Sequence, residues 1–339
     1  MTQPVALVTG ATGFIGGRLV TALVDDGWRV RACGRRPRPD DLPPGADYTA
    51  VDLAGDDDLT GLYDGVTHLF HLAGASSSAA DEDEMERANV LATSRLLAAA
   101  PGRLQRVVHM SSSSVYGEQE QLPLPVREDV EPAPSRAYGQ AKWRTEQVVR
   151  EAGQTGLPVV VLRPVTVYGP GNVKLLASAV LDVAIEAYGG VRTVPVPAEP
   201  IEQRLVHIDD LLRATVHVAR AEGVVGRTFN VVHDHYPTSH EIAHILAGCF
   251  DVEVELTDDP DSGPGYEDRR RAHAAMAGAG MATPILLTKE RFRFMRKANR
   301  NNRLSIDALL ATGFEFEQTD LAAGIEATIA WYRSHRWIL

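Results

Sequence analysis

Between Val5 and Pro164, short apolar runs rich in β-branched residues alternate with segments whose apolar residues recur at helical spacing. "VALVTG" (5–10), "RVRACGR" (29–35), "ADYTAVDL" (46–53), "THLFHLAG" (67–74), "RVVHMSS" (106–112) and "LPVVVLRP" (157–164) are the strand-like runs. "FIGGRLVTALVDDG" (14–27), "MERANVLATSRLLAAA" (85–100) and "AYGQAKWRTEQVVREAG" (137–153) are the helical ones. Continuous apolarity marks a strand buried on both faces. Strands that alternate with helices pair in parallel through right-handed crossovers. The pattern predicts an α/β chain with a Rossmann-type, doubly wound parallel sheet.

After Pro164 the rhythm loosens into turn-rich stretches such as "TVYGPGN" and "YGGVRTVPVPAEP". "RLVHIDDLLRATVHVAR" and "TFNVV" then read as one more strand–helix–strand return to the sheet. The expected organisation is a nucleotide-binding domain over 1–168, completed by about 204–232. Residues 169–203 and 233–339 make a smaller, discontinuous substrate lobe. Residues 258–284 show little periodicity and are expected to form a lid or loop.

The bulk chemistry narrows function. The net charge of −11 disfavours binding to phosphate backbones. Two cysteines, Cys33 and Cys249, cannot build a disulfide framework, which fits a reducing compartment. No apolar run approaches the roughly 18 residues that span a bilayer. A cytoplasmic protein with no membrane and no nucleic-acid partner is expected.

Gly10, Gly13 and Gly16 fall where the first strand hands over to a helix. Such a turn presents unpaired N–H groups and the positive end of the helix dipole, and an anion can reach them only where no Cβ intervenes. The pyrophosphate of a dinucleotide is such an anion. At the end of the second strand, NAD-binding chains place an acid for the ribose 2′-hydroxyl. Here Gly34 stands there, followed by Arg35 and Arg36. Permanently charged, planar guanidinium groups suit a 2′-phosphate. NADP is the expected cofactor, with NAD as the alternative. No metal is expected.

Tyr138 and Lys142 are four residues apart, on one helix face. A nearby ammonium stabilises a phenolate and should lower the phenol pKa, so that the pair can exchange a proton with a carbinol or carbonyl oxygen. The "SSSS" run at 111–114 ends a strand and could supply a hydroxyl to the same oxygen.

In this order, "TGATGFIG", "HLAG", "SSSSVYG", "YGQAK", "LRPVTVYGPG" and "RLVHIDDL" resemble the extended short-chain dehydrogenase/reductases, the NAD(P)-dependent epimerase/dehydratase group. The resemblance covers about residues 5–232. It implies Tyr138 as acid/base, Lys142 as partner of the nicotinamide ribose and Ser112 as the hydroxyl on the substrate oxygen. It further implies a cofactor path along Gly10, Thr12, Gly13, Phe14, Ile15 and Gly16, then Leu72, Ala73 and Gly74. Asp52 and Leu53 would flank adenine, and Arg163, Pro164 and Val165 would lie beside the nicotinamide. Asn89 would support the site. Ser113, Arg204 and Arg303 join Ser112 as expected substrate contacts, the arginines toward a substrate diphosphate. A homodimer through the helix of Tyr138 and the one before it is also implied.

One departure is informative. Dehydratases of the group carry an Asp-Glu pair where this chain has Ser113 and Ser114. A hydroxyl is a poor general base, which argues against a 4,6-dehydratase. A nucleotide-sugar 4-epimerase or 4-ketoreductase is the leading expectation, and an NADPH-dependent reductase of a non-sugar ketone the runner-up.

Other features compete. "SHEIAH" holds His240, Glu241 and His244, a literal HExxH that could bind zinc in a hydrolase. The segment reads better as a helix capped by Ser239 with that face in solvent. The basic run "RFRFMRKANRNNR" (291–303) could grip a substrate diphosphate or merely be solvated. "DEDEME" (81–86) suits an acidic helix start. A non-catalytic NADP sensor would be expected to lack the Tyr-Lys pair, which this chain has.

Overall fold

The computed structural model describes residues 3–75, 82–117, 122–259, 263–292 and 303–339. The chain divides into two units. The first comprises 1–165, 210–231 and 304–315; the second comprises 166–209, 232–303 and 316–339.

The first unit is built on seven parallel strands: β1 (Val5–Thr9), β2 (Arg29–Gly34), β3 (Ala46–Ala50), β4 (His68–His71), β5 (Arg106–Met110), β6 (Val159–Pro164) and a late return, Thr228–Val231. Their spatial order is return strand, β6, β5, β4, β1, β2, β3, so the winding reverses beside β1. In such sheets ligands bind beyond the strand C-termini at the reversal. Helix α1 (Phe14–Asp25) follows β1. A short α2 (Glu82–Met85), with three acids in its only turn, leads through a π-helical turn (Glu86–Leu91) into α3 (Ala92–Ala98). Helix α4 spans Ala137–Gln154. One core cluster joins Leu7, Leu69, Val107 and Val161 of the sheet to Leu96 of α3 and Val149 of α4.

The segment 304–315, expected in the other lobe, belongs to this unit. Leu304 bridges Val126, the Ser305 amide donates to the Val126 carbonyl at 2.9 Å, and Leu309 is wholly buried. A lone bridge and a four-residue helix carry no periodicity that a sequence could display.

The second unit pairs β7 (Thr166–Tyr168) with β9 (Leu205–His207), and β8 (Thr193–Pro197) with β11 (Glu253–Thr257), both in parallel; β10 is the return strand. Helix α5 (Leu176–Tyr188) is buried along most of its length. It packs in a core with Ile242 and Leu246 of α7 (Ser239–Phe250) and with Ile325, Ile329 and Tyr332 of the last helix, Leu321–Ser334. Helix α6 (Ile208–Arg220) leads from this unit back to the first.

Two expectations are corrected here. The segment taken for a lid contains a regular helix, α8 (Tyr266–Gly278). It is held by Arg269, whose buried guanidinium donates to Asp182 of α5 at 2.8 Å. An ion pair to a neighbouring helix leaves no trace in hydrophobic periodicity. The cap of α7 is Thr238, whose hydroxyl accepts from the Glu241 amide at 3.1 Å. Ser239 instead accepts from the Ile201 amide at 3.0 Å.

Candidate active site

The glycine turn is shaped by close approach. Gly10 has φ +71°, and a Cβ there would stand 2.8 Å from the Ala73 nitrogen. A Cβ on Gly16 would lie 2.2 Å from the Gly10 carbonyl oxygen. Both positions therefore exclude any other residue on packing grounds alone. Gly13 is exposed and caps α1 with no side chain, so the helix start faces outward with bare backbone. Thr9 closes the turn from behind: its hydroxyl accepts from the amides of Leu72 and Ala73 at 3.2 and 3.1 Å.

Ser112, Tyr138 and Lys142 come together at the C-terminal end of β5. Ser112 caps a short 3₁₀ turn (Ser113–Tyr116), and its Oγ accepts from the Ser114 amide and hydroxyl at 3.2 and 2.9 Å. It is hydrogen-bonded to the Tyr138 phenol. Gly139 makes this possible, because a Cβ there would lie 2.6 Å from the Ser114 carbonyl oxygen. The glycine after Tyr138 thus lets α4 lie directly on the serine turn. Ser113 is buried within that turn.

Lys142 is buried, and its Nζ donates to the Met110 carbonyl at 2.9 Å. Burial lowers its pKa to about 8, against the opposing pull of Glu146. Asn89, buried in the π turn, sits beside it: a Cβ on Gly74 would meet Asn89 Oδ1 at 2.5 Å and Lys142 Nζ at 3.6 Å. π turns recur at functional sites. The direction of the Tyr138 shift differs from expectation. Burial raises the phenol pKa, the Ser112 hydrogen bond only partly offsets this, and Lys142 is not among the causes. The physical reason is that the amine is turned to the Met110 carbonyl.

Residues that could touch a cofactor are placed as follows. Arg36 curls back so that its guanidinium donates to the Thr12 carbonyl and, at 3.4 Å, to the Thr12 hydroxyl. Arg35 is exposed, and its charge acts on Asp52. Burial would raise the Asp52 pKa, but hydrogen bonds from Arg87 and the Ala54 amide hold it below the usual range. Phe14, Ile15, Leu72 and Ala73 are half-buried around the turn, and Pro164 and Val165 are buried at the end of β6.

Two residues are placed against expectation. The Leu53 side chain belongs to the core, which leaves only its backbone for an adenine. The Arg163 side chain is wholly buried. Its guanidinium donates to both Glu146 oxygens at 2.9 and 2.8 Å, to the Tyr116 hydroxyl at 2.8 Å and to the Glu128 carbonyl at 3.3 Å. It locks α4 to β6 and to the serine turn rather than facing a cofactor. The Ser111 hydroxyl donates to the same carboxylate at 2.5 Å. Sequence reasoning passed over Glu146, although Tyr138, Lys142 and Glu146 recur every four residues on one helix face.

In the second unit, the exposed Arg303 pairs with Glu202 at 2.5 Å and stacks over Tyr236 at 5.4 Å. Burial lowers the pKa of the partly buried Arg204, which is also coupled to Tyr236. Residues 293–302 of the basic run lie outside the described residues. Arg291, at its start, is buried against both oxygens of Glu186 at 2.5 Å. Of the HExxH residues, His240 bonds the Pro197 carbonyl and Glu241 bonds His235, each at 2.8 Å. Among the described residues no cluster of three or more metal-ligating side chains occurs, and no helix is long and apolar enough to cross a membrane.

Residues 6–231 match the NAD dependent epimerase/dehydratase family. The GDP-6-deoxy-D-mannose reductase of Pseudomonas aeruginosa is 28% identical over 307 residues, 86% of this chain and 96% of the reductase. The UDP-glucose 4-epimerase of Azospirillum brasilense is 31% identical over 254 residues, 65% of this chain and 71% of the epimerase. The chain spans about half the length of two other curated relatives, which are 36% and 35% identical. The solved structure of MoeE5 in complex with UDP-glucuronic acid and NAD gives a TM-score of 0.72 at 25% identity, covering 98% of this chain and 99% of MoeE5.

Proposed function

Because this chain belongs to the NAD-dependent epimerase/dehydratase family, we propose that it is an NADP(H)-dependent ketoreductase of a nucleotide-linked sugar. The observation that carries the reading is the Ser112–Tyr138–Lys142 cluster at the end of β5. Burial keeps the Tyr138 phenol protonated at neutral pH. A protonated phenol is the form that can give a proton to a carbonyl oxygen as charge develops on it. Ser112 Oγ, itself oriented by Ser114, hydrogen-bonds the same oxygen. Lys142, held on the Met110 carbonyl, stays behind as a donor to ribose hydroxyls.

The glycine turn fits a dinucleotide, because its outer face is bare backbone and a Cβ on Gly10 or Gly16 would fill the bend. Gly10, Thr12, Gly13, Phe14, Ile15 and Gly16 would hold the pyrophosphate, and Asp52 with the Leu53 backbone the adenine. Leu72, Ala73, Gly74, Pro164 and Val165 would line the path to the nicotinamide, which supplies a hydride when bound. With glycine in place of an acid at 34, Arg35 and Arg36 favour a 2′-phosphate over a free hydroxyl. Arg204 and Arg303, both coupled to Tyr236, would take a substrate diphosphate. The names of the Pseudomonas and Azospirillum relatives support a nucleotide sugar. A homodimer through α4 and the helix before it belongs to the same proposal.

The test is to identify the cofactor released from purified protein and then to screen 4-keto sugar nucleotides with NADPH. Net NADPH consumption is expected. Interconversion of 4-epimers with no net consumption would make the chain an epimerase instead. Tyr138→Phe should keep cofactor affinity and lose about 10²- to 10⁴-fold in kcat. Undiminished turnover would reject the acid role.

A further inference from the structure

Tyr48 stands on the edge strand β3, in register with Ala32, two residues before the end of β2. Its hydroxyl reaches forward to the strand end. It donates to the Arg36 carbonyl at 2.5 Å, with the Gly34 carbonyl at 3.3 Å. Arg36 in turn donates through its guanidinium to Thr12. Thr12 and Tyr48 close on Gly34 from two sides, since a Cβ there would lie 3.1 Å from the Thr12 methyl and 3.1 Å from the Tyr48 hydroxyl. Both are tighter than the roughly 3.5–4.0 Å of a relaxed heavy-atom contact. Gly34 is not among the glycines with positive φ, so the backbone would accept another residue, and a Cβ there would require the Thr12 and Tyr48 side chains to give by a few tenths of an ångström.

We propose that Tyr48 is a specificity-determining residue, a latch that keeps an acid out of position 34 and fixes Arg35 and Arg36 for a cofactor 2′-phosphate. This rests on the NADP reading given above. The latch acts twice. Its hydroxyl, with the Thr12 methyl opposite, crowds the space where a ribose-binding carboxylate side chain would have to begin. It also tethers the Arg36 peptide, so the two guanidinium groups leave the strand end from a fixed point, Arg36 over Thr12 and Arg35 toward Asp52. A guanidinium held in place loses less entropy on binding phosphate than one on a free loop.

The proposal is tested by calorimetric titration of 2′,5′-ADP and of 5′-AMP. These probes differ only in the 2′-phosphate and need neither nicotinamide nor turnover. Wild-type protein should bind 2′,5′-ADP at least about tenfold more tightly than 5′-AMP, the value of one charge-assisted hydrogen bond. Tyr48→Phe, which keeps the ring and removes both hydrogen bonds, should lower that preference about three- to tenfold at an unchanged melting temperature. Gly34→Asp alone should weaken both ligands, whereas Gly34→Asp with Tyr48→Ala should turn the preference toward 5′-AMP. Equal wild-type affinity for the two probes would overturn the NADP reading and the latch with it. A wild-type preference that survives Tyr48→Phe intact would overturn the latch alone. So would Gly34→Asp favouring 5′-AMP as fully as the double variant does. Should Gly34→Asp fail to fold, Tyr48→Phe still decides the matter.

Discussion

Behind the site, two histidines face each other inside the sheet with ring centroids 5.3 Å apart. His71 is satisfied by the hydroxyls of Thr9 and Thr93, each at 2.8 Å. Neither ring nitrogen of His109 has a hydrogen-bond partner among the described residues. Burial pushes the His71 pKa down to about 3, and burial with the charges of His71 and Lys142 pushes that of His109 well below its usual value. Both imidazoles are therefore neutral in the folded chain. Unfolded, they protonate near the ordinary value of about 6.5. Their contribution is fully present above that pH and is lost as the pH falls, because only the unfolded state takes up the protons. Stability should fall by about 1.4 kcal/mol per pH unit per histidine below about pH 6.5. Urea melts at pH 7.5, 6.0 and 5.0 would show it. His109→Leu should flatten the dependence, and a wild-type slope kept in that variant would contradict the assignment.

Among the elements, α4 is the one on which the chemistry depends. Its first turns carry Tyr138 and Lys142, and its next turn carries Glu146, wholly buried against Arg163. A buried pair of this kind contributes little beyond an apolar substitute, but removing one partner strands a charge in the interior. Glu146→Ala should therefore cost about 3–5 kcal/mol in equilibrium denaturation. A loss below 1 kcal/mol would mean that Arg163 finds water or another acceptor. Position along the helix could have drawn attention to Glu146, since 138, 142 and 146 share a face. Its partner could not have been named, because Arg163 reaches it from β6 through folding alone.

For the whole molecule, the units do not follow the chain in order. The first is completed by Thr228–Val231 on the open edge of β6 and by 304–315 beside Val126. Buried Asn230 joins these pieces: its amide donates to the carbonyls of Val126 and Ser305 at 3.2 and 3.1 Å, and its oxygen accepts from Tyr116 at 2.7 Å. A fragment ending at Val165 would leave that strand edge bare and the Tyr116 hydroxyl without its Asn230 acceptor. It should lack cooperative unfolding by circular dichroism and should bind a hydrophobic dye. A sharp melting transition would show that the first 165 residues suffice.

What the chain determined by itself is local and repetitive. Six strands, three crossover helices and the glycine turn follow from apolar runs, helical spacing and absent side chains, all of which are properties of neighbours in sequence. Tyr138 and Lys142 are legible for the same reason, being one helical turn apart. The tertiary structure alone decided what depends on distant residues meeting. It turned Lys142 toward the Met110 carbonyl, buried Arg163 on Glu146, folded Arg36 onto Thr12 and brought Tyr48 over Gly34. A side chain's partner and its protonation are set by what packs around it, and no periodicity along the chain records that.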